Sequence, residues 1–278
     1  MATLIADSGS SKTHWTTDGA DSMVVSTQGL NPRQTVESDF HAAVEEMLRQ
    51  LPVATEAMEV YFYGAGCGTE AMRHRVETWL KSHFPHATLH IHTDLIGACR
   101  AVCHHRRGSV GILGTGSNLC HYTGHDIDHS CPSVGYLLGD EGSGNHIGRN
   151  LLKDYLEGFM PKVLSDRFHE FCPLTHDQFL TQLYQRPYPN RYLATLTPFA
   201  AQWRDDPYIA DLLARCFDAF MVQVRRHGLP ADEPLHIVGG ITRSFAAELY
   251  AAAERQGLQT GILMPDPIEG LRSYHHSE

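Results

Sequence analysis

The stretch IADSGSSKTHW at Ile5–Trp15 has a counterpart later in the chain, ILGTGSNLCHY at Ile112–Tyr122. Each reads as an apolar strand, a turn of small residues and a second strand. The two stretches are identical at four matched positions: Ile5/Ile112, Gly9/Gly116, Ser10/Ser117 and His14/His121. Because each stretch also opens a run of predicted strands and helices, the match indicates an internally duplicated architecture.

Strands and helices alternate after the first stretch, as is typical of α/β proteins. Periodicity predicts strands at 3–6, 13–17, 23–26, 58–63 and 88–92, and helices at 36–51, 70–83 and 95–104. A second strand set starts near Gly108, with later strands at 235–238 and 261–264 and helices at 143–158, 162–171, 175–184, 191–203, 207–226 and 243–256. We therefore expect two domains, 1–108 and 109–278, with a ligand cleft where they pack together.

The composition is that of a folded globular protein. The chain has 278 residues, of which 42% are hydrophobic and 19% are charged, so disorder is excluded for most of its length. Its formal net charge of −10 repels phosphate backbones, which makes nucleic acid an unfavourable partner. At roughly 150 residues per domain, this length agrees with two domains.

The cysteines and the lengths of the apolar runs indicate the cellular compartment in which the protein is expected. Seven cysteines lie at scattered positions without a CxxC pair, so we predict free thiols in a reducing compartment rather than a zinc ribbon or a disulfide framework. The N-terminus opens directly into a strand-like segment, and no apolar run approaches the ~18 residues of a membrane span. We expect a soluble, cytoplasmic protein without a membrane partner.

The segment Asp7-Ser8-Gly9-Ser10-Ser11-Lys12-Thr13 places a carboxylate at the end of a strand and small residues in the turn that follows. Small residues let backbone N–H groups approach an anion, and hydroxyls and Lys12 add donors. Asp7 could hold Mg²⁺ directly or through water. An ordinary hairpin turn is the alternative interpretation of this segment.

The similar turn Gly114-Thr115-Gly116-Ser117 favours a pair of phosphate-binding turns over two unrelated hairpins. The second copy has lost the acid, because Gly114 stands where Asp7 stands. This asymmetry predicts that one half carries the metal while the other half only cradles phosphate.

Two further carboxylates stand where strands or glycine-rich loops meet helices. Asp140 lies in GYLLGDEGSG at 135–144 and is either a ligand-binding group or a cap of the following helix. Asp94 follows the strand at 88–92 and is either a helix cap or a functional carboxylate at a strand's carboxyl end, where open α/β sheets bind ligands. The loop Gly64–Gly68 lacks the third glycine of a dinucleotide-binding loop, so it is only weak evidence for dinucleotide binding.

Nineteen histidines raise the question of a metal centre. The closest spacings are His83/His86, His90/His92, His104/His105 and His121/His125/His129, and no HExxH accompanies them. We expect surface and hydrogen-bonded histidines rather than a dedicated metal site.

Taken together, the motifs resemble those of one protein group. In chain order they are DSGSSKT (7–13), GLNP (29–32), HTDLIGA (92–98), GTGSN (114–118), GYLLGDEGSG (135–144) and VGG (238–240). Over nearly the whole chain this order resembles the N-acetylglucosamine kinase-like group, which shares its domain with the BadF/BadG/BcrA/BcrD ATPases within the sugar kinase/Hsp70/actin superfamily. The resemblance implies an α/β fold of duplicated RNase-H-like, actin-like ATPase domains that close over ATP, Mg²⁺ and a sugar.

The resemblance also implies the site residues. ATP would be bound by Gly9, Ser10, Ser11, Lys12 and Thr13 of the first turn, by Gly114, Thr115, Gly116 and Ser117 of the second, and by Gly239, Gly240 and Ser244 near the adenosine. The sugar would be bound by Asn31, Asp94, Ser117, Asn118, Gly135 and Asp140. Asp94 would be the base that receives the proton of the sugar's 6-hydroxyl, and Asp7 would be the metal ligand.

The expected activity is ATP-dependent phosphorylation of N-acetylglucosamine or a related amino sugar. One alternative is an ATPase that activates a partner enzyme through an iron–sulfur cluster shared by a dimer, for which Cys67, Cys99 and Cys103 are available. Another is a sugar sensor without turnover. Ser133-Val134 replaces the Gly-Trp that is common in these kinases, which leaves the identity of the sugar open. The helices between Lys162 and Trp203 are extra to the α/β core and would form the interface of a homodimer.

Overall fold

The structure, a computed structural model, describes residues 2–19 and 23–276, and they form two compact units. The first unit comprises the chain up to Arg107, the segment Tyr122–Asp128 and the residues from Asp266 onward; the second comprises Gly108–His121 and His129–Pro265. The domain division at 108/109 stays a prediction, since packing assigns two later segments to the first unit. In the described part of the chain, no helix is long and apolar enough to cross a membrane.

A five-stranded sheet in the order β3-β2-β1-β4-β5 forms the first unit. Its strands are β1 (Ala2–Ser8), β2 (Lys12–Thr17), β3 (Val25–Gln28), β4 (Ala57–Gly64) and β5 (Thr88–Thr93), and its helices are α1 (Glu37–Gln50), α2 (Glu70–Lys81) and α3 (Asp94–Cys103), with a 3₁₀ turn at Pro52–Glu56. β1 pairs antiparallel with β2, whereas β1, β4 and β5 run parallel. The register aligns Ser8, Gly64 and Thr93, so Asp7 and Asp94 lie at the same edge of the sheet.

The central strands of this sheet are apolar on both faces because helices cover both. Leu4 and Ile5 of β1 and Phe62 of β4 are fully buried. α1 adds Phe40 and Val44, four residues apart and therefore on one face of the helix. This packing holds the carboxyl ends of β1 and β4 in place.

The second unit repeats the topology. Its strands are β6 (Gly108–Leu113), β7 (Ser117–Tyr122), β8 (Ile127–Ser130), β9 (Leu235–Val238) and β10 (Thr260–Met264). Their order, β10-β9-β6-β7-β8, is that of the first sheet when β6 is matched to β1 and the rest follow in sequence. The predicted α/β class and the duplication are both confirmed.

Helices make up most of the rest of the second unit. They are α4 (Gly135–Leu138), α5 (Gly144–Leu156), α6 (Lys162–Phe171), α7 (His176–Tyr184), α8 (Pro189–Ala194), α9 (Thr197–Gln202), α10 (Pro207–Arg226) and α11 (Gly240–Arg255). A last helix, α12 (Ile268–His276), belongs to the first unit.

The single helix predicted at 191–203 is wrong. Two short helices, α8 and α9, occupy this range and meet at Thr195 and Leu196. Pro198 has no N–H to donate to the carbonyl four residues earlier, and its ring clashes there. The helix therefore ends and restarts with proline in its first turn.

Several other elements differ from the sequence expectation. β3 begins at Val25, two residues later than the strand predicted at 23–26, and the short α4 was not predicted. α11 begins at Gly240, three residues earlier than predicted, and its backbone kinks at Phe245. β8 and α12 were not predicted, since IDHS in β8 is mostly exposed and polar and α12 carries few apolar residues. The residues between 20 and 22, before the strand predicted at 23–26, lie outside the described residues.

We predict that Gly148→Ala destabilises the second unit. α5 and α8 pack with their backbones in contact at Gly148, where an added Cβ would overlap the carbonyl oxygen of Leu193. The backbone has to shift to accept the methyl group, so the variant should lose about 3 kcal/mol of unfolding free energy. Denaturant unfolding measures the change. The exposed Lys153→Ala on the same helix is the control and should change stability by less than about 1 kcal/mol; equal losses would contradict the backbone contact.

Candidate functional site

Two buried hydroxyls hold the first turn, Asp7–Thr13, from within. Ser8 Oγ lies 2.8 Å from Thr13 Oγ1 and accepts from the N–H of Leu30 at 3.1 Å. Both Ser8 and Thr13 are fully buried. Thr13, predicted to bind ATP, therefore keeps its hydroxyl inside the protein, where it fixes the shape of the turn.

The outer part of the same turn offers donors. The N–H of Gly9 donates to the carbonyl of Lys12 at 2.9 Å and closes the loop. Throughout residues 2–19 and 23–276, no group accepts from the N–H groups of Ser10 and Ser11, and Lys12 is exposed. Two available N–H groups beside an ammonium group form an arrangement that binds anions.

Asp7 and Asp94, here called the acidic pair, lie where β1 and β5 end. Burial raises the pKa of Asp94 to about 6. Burial and the charge of Asp94 raise the pKa of Asp7 to about 7. Asp94 does not cap α3, because Thr93 Oγ1 accepts from the N–H of Ile96 at 3.3 Å while Asp94 Oδ1 accepts from its neighbour Leu95. The alternative interpretation of Asp94 as a helix cap is wrong.

His14 and Asp266 complete the surroundings of Asp7, and neither residue was predicted from the sequence to have a role in the site. His14 faces Asp7 across the β1–β2 pair, and His14 Nδ1 lies 2.7 Å from Asp266 Oδ1. The hydrogen bond with Asp266 raises the pKa of His14. Ligand atoms of all three residues lie within 4.8 Å of one another, an oxygen-rich set that suits a hard divalent cation.

Asn31 and the loop Gly64–Gly68 border the acidic pair. Asn31 is almost fully buried, and its Oδ1 accepts from the N–H of Arg33 at 3.0 Å. No described residue accepts a hydrogen bond from its Nδ2. Burial and the charge of Asp94 raise the pKa of Cys67, which places this loop beside Asp94. Asn31 also lies against this loop, because a Cβ on Gly66 would overlap Asn31 Oδ1. Two residues predicted to bind sugar, Asn31 and Asp94, therefore flank the same loop.

The second turn, Gly114–Ser117, is tied to the start of α5 through its carbonyl groups. The carbonyls of Gly114 and Thr115 accept from the N–H groups of Gly144 and Asn145 at 2.9 and 3.0 Å. Asn145 Nδ2 also donates to the carbonyl of Thr115 at 2.6 Å. With its carbonyls held by α5, this turn keeps the N–H groups of residues 115 and 116 without an acceptor in the described chain.

Asp140 braces the second turn from the side. Its Oδ1 accepts from the N–H of Ser117 at 3.2 Å and its Oδ2 from Asn145 Nδ2 at 2.8 Å. Its φ of 60° is left-handed, a conformation that aspartate tolerates better than most residues. Ser143 caps α5 by accepting from the N–H of His146, so the interpretation of Asp140 as that cap is wrong. Asn145, fully buried, is a site residue that sequence reasoning missed.

Gly239 brings the end of β9 against the second turn. With φ at 121° it adopts a conformation that favours glycine. A Cβ there would overlap the carbonyl oxygen of Leu113 and lie 3.3 Å from the N atom of Gly114. Gly240 begins α11, and the partly exposed Ser244 follows one turn later. Of the three residues predicted near adenosine, Gly239 is therefore adjacent to the second turn, and Gly240 follows it in the chain.

A cavity of about 270 Å³ opens in the second unit. Three residues predicted to bind the sugar line it, namely Ser117, Asn118 and Asp140. Val134, at the position where these kinases commonly carry tryptophan, is also part of its wall. Gly135 is not: it lies at the exposed start of α4.

The positions of the cysteines do not suit a shared iron–sulfur cluster, and several histidines form hydrogen bonds. All seven cysteines are free thiols, as predicted. Cys67, Cys99 and Cys103 are buried in the first unit, so none is at a surface where two subunits could share an iron–sulfur cluster. Two histidines of the noted spacings are hydrogen-bonded, as predicted: His90 to Glu59 at 2.6 Å and His121 to Glu233 at 2.9 Å.

Comparison with known proteins adds structural relatives. No protein-family model and no curated protein matches the chain. A protein of Porphyromonas gingivalis described as a "putative N-acetylglucosamine kinase" is 37% identical, with 99% of each chain covered and a TM-score of 0.93. A protein of Chromobacterium violaceum with the same description is 18% identical, with 98% of each chain covered and a TM-score of 0.75.

A more distant structure agrees in fold. A ROK family glucokinase of Streptomyces griseus, in complex with glucose and AMPPNP, is 11% identical, covers 99% of this chain and 98% of its own, and has a TM-score of 0.55. At that identity the likeness concerns the fold alone. It agrees with the duplicated, actin-like α/β architecture that the two sheets display.

We predict that Asp94→Asn stabilises the protein at high pH. The pKa of Asp94 is about 6 in the folded chain against an ordinary value of 3.8, so ionisation is more costly in the folded than in the unfolded state. That penalty is nearly absent at pH 4 and complete above the folded pKa. Because the carboxyl group keeps some solvent exposure, we expect a gain of about 1–2 kcal/mol at pH 8.

Denaturant unfolding of the wild type and Asp94→Asn at pH 4 and pH 8 measures this gain. Glu56→Gln removes an exposed carboxylate of the same unit and should leave stability nearly unchanged at both pH values. A gain from Asp94→Asn that is equal at pH 4 and pH 8 would contradict the assigned cost of ionisation.

Proposed function

The chain belongs to the N-acetylglucosamine kinase-like family, and from this premise we propose that it uses ATP to phosphorylate the 6-hydroxyl of N-acetylglucosamine or a related amino sugar. The observation that carries the proposal is the position of Asp94. Its carboxylate stands at the sheet edge beside Asp7 without serving as a helix cap. A half-buried carboxylate with a raised pKa that serves no structural cap is a candidate for chemistry.

Asp94 acts as the general base in this proposal. With a pKa of about 6, it is mostly ionised at neutral pH yet close enough to neutrality to take a proton. Phosphoryl transfer requires an oriented hydroxyl and neutralised charge more than covalent help. The oxygen of the sugar's 6-hydroxyl attacks the γ-phosphorus of ATP, and ADP leaves. Asp94 accepts the proton that this hydroxyl loses.

The two turns bind the phosphates of ATP in the same proposal. The first turn contributes the N–H groups of Ser10 and Ser11 and the Lys12 ammonium, with Gly9 and Thr13 fixing its shape. The second contributes the N–H groups of its residues 115 and 116, which α5 leaves available. Gly239, Gly240 and Ser244 would border the adenosine, since Gly239 adjoins the second turn and the other two follow it in α11.

Asp7 fits a role as ligand of Mg²⁺. Its pKa is raised by burial first and then by the charges of Asp94 and Asp266, and a divalent cation would stabilise its ionised form. The carboxylates of Asp7 and Asp266 supply the oxygen donors that Mg²⁺ prefers. When bound there, Mg²⁺ would neutralise phosphate charge, while His14 holds Asp266 in position by its hydrogen bond.

The sugar would be held by amide and carboxylate groups. Asn31 has an available Nδ2 near Asp94, and Asn118 and Asp140 line the cavity of the second unit. Ser117 lies on that wall too, whereas Gly135 would contribute only through its left-handed backbone at the start of α4. Val134 leaves more room there than tryptophan would, so we infer that the acceptor is not restricted to N-acetylglucosamine.

A homodimer is part of the proposal because apolar side chains are exposed near the extra helices. Phe159, Val163 and Tyr184 are 69%, 72% and 82% exposed. Large apolar side chains with this much exposure are available to an interface between subunits. The partner in this proposal is a second copy of the chain.

The kinase activity is tested by measuring ADP release with ATP·Mg²⁺ over a panel of sugars: N-acetylglucosamine, N-acetylmuramic acid, N-acetylmannosamine, glucosamine and glucose. We expect turnover with one or more amino sugars. Asp94→Asn should lower kcat by about 10²- to 10⁴-fold, the usual value of a general base, with little change in the KM for ATP.

Asp39→Asn, an exposed carboxylate on α1, is the matched control and should keep wild-type turnover. ADP release that ignores every sugar and survives Asp94→Asn would contradict the proposed activity.

The second turn is tested by Asn145→Ala. This variant removes the hydrogen bonds to Thr115 and Asp140, so the turn loses its support and kcat/KM for ATP should fall about tenfold. Asn150→Ala on the same helix is the control, since Asn150 Nδ2 donates to the carbonyl of His146. Identical ATP kinetics in the two variants would rule out this role for Asn145.

A further inference from the structure

Three side chains that the proposed kinase does not use converge at one side of the second unit. His129 lies in β8, Cys131 follows two residues later, and His227 ends α10. Their ligand atoms, two imidazole nitrogens and one sulfur, lie within 4.8 Å of one another. We propose that His129, Cys131 and His227 form a binding site for a zinc-type divalent transition metal.

The donor set determines the class of metal. Thiolate and imidazole are the ligands that Zn²⁺ and its neighbours prefer, whereas Mg²⁺ and Ca²⁺ prefer oxygen. In a tetrahedral zinc site the donor atoms lie about 3.3–3.6 Å apart. Small side-chain rotations would bring the three donors to that spacing, because their present mutual distances exceed it by about 1.5 Å at most.

No hydrogen bond competes for these donors. Across the described residues, the side chains of His129, Cys131 and His227 have no hydrogen-bonding partner. Three other histidines differ, since His14, His90 and His121 each bond a carboxylate. Three metal-ligating groups that meet without partners are available as ligands from the outset.

The backbone fixes two of the three positions. The N–H of Cys131 donates to the carbonyl of Leu119 at 2.8 Å, which keeps the chain extended beyond β8. After His227 the N–H groups of Gly228 and Leu229 donate back into α10, to the carbonyls of Arg225 and Val224, both at 3.0 Å. This pairing is a Schellman motif, which fixes the helix end.

The surroundings favour a cation and an open coordination position. His227 stands at the C-terminus of the 20-residue α10, where the partial negative charge of the helix end attracts cations. β8 ends the strand order of its sheet, and His129 on it is exposed, so a metal can enter from solvent. Cys131 and His227 also line the 270 Å³ cavity, which leaves the fourth position to water or to an oxygen of a molecule in that cavity.

Metal binding to the purified full-length chain tests the site without reference to kinase activity. Cobalt(II) added to the metal-free protein should give the absorption of a tetrahedral thiolate complex at one equivalent, and Zn²⁺ should displace it. Cys131→Ser should abolish the thiolate-to-cobalt band. Zn²⁺ affinity, measured by competition with a chromophoric chelator, should fall at least 100-fold in Cys131→Ser and in His227→Gln, and at least tenfold in His129→Gln.

Two variants serve as matched controls. Cys172→Ser removes the other partly exposed thiol, and His176→Gln removes an exposed histidine; both should bind metal as the wild type does. Because His129 is exposed, the His129→Gln variant should fold normally. It therefore tests the site even if Cys131→Ser fails to fold. A cobalt spectrum without a thiolate band, or equal Zn²⁺ affinity in His129→Gln and the wild type, would overturn the proposal.

Discussion

The first unit depends on how it accommodates two half-buried carboxyl groups at one sheet edge. The parallel arrangement of β1, β4 and β5 brings Asp7 and Asp94 together, and burial raises the pKa of both. The protein offsets part of this cost with His14, whose imidazolium lowers the pKa of Asp7 and is itself held by Asp266. The remaining cost is what a bound cation, or the proton of a hydroxyl, would relieve. A site tuned to accept a proton and a cation is therefore less stable without them.

The second unit has the same strand–turn–strand arrangement, but its first strand does not end in an acidic residue. Gly114 replaces Asp7, and the carboxylate comes instead from Asp140, which reaches Ser117 from a separate loop. A histidine–carboxylate pair recurs as well, since His121 bonds Glu233 as His14 bonds Asp266. Duplication thus preserved the turn and the histidine but moved the carboxylate away from the strand end. This agrees with a division in which the first half binds metal and the second half positions phosphate.

The sequence predicts what is local and periodic. The strands, most helices and the two turns follow from apolar spacing and small residues, and Asp94 could be singled out because a strand ends just before it. Pro198 indicates the break between α8 and α9, but the helical spacing of the apolar residues favoured one continuous helix. Asp266 and His227 had no local signal, because each meets its partners only through the tertiary fold. Asn145 was missed since a polar residue in the first turn of a helix reads as solvent-exposed, whereas this one is fully buried.

The two candidate metal sites differ in chemistry, and that difference keeps them from competing. Asp7 and Asp266 present oxygen to a cation, and their neighbour His14 is engaged in a hydrogen bond. His129, Cys131 and His227 present nitrogen and sulfur. A transition metal prefers the second set over the first, whereas Mg²⁺, which keeps its waters and seeks carboxylates, gains little from a thiol. In our two proposals each site therefore favours a different class of cation, so zinc at the second set would not displace Mg²⁺ from the first.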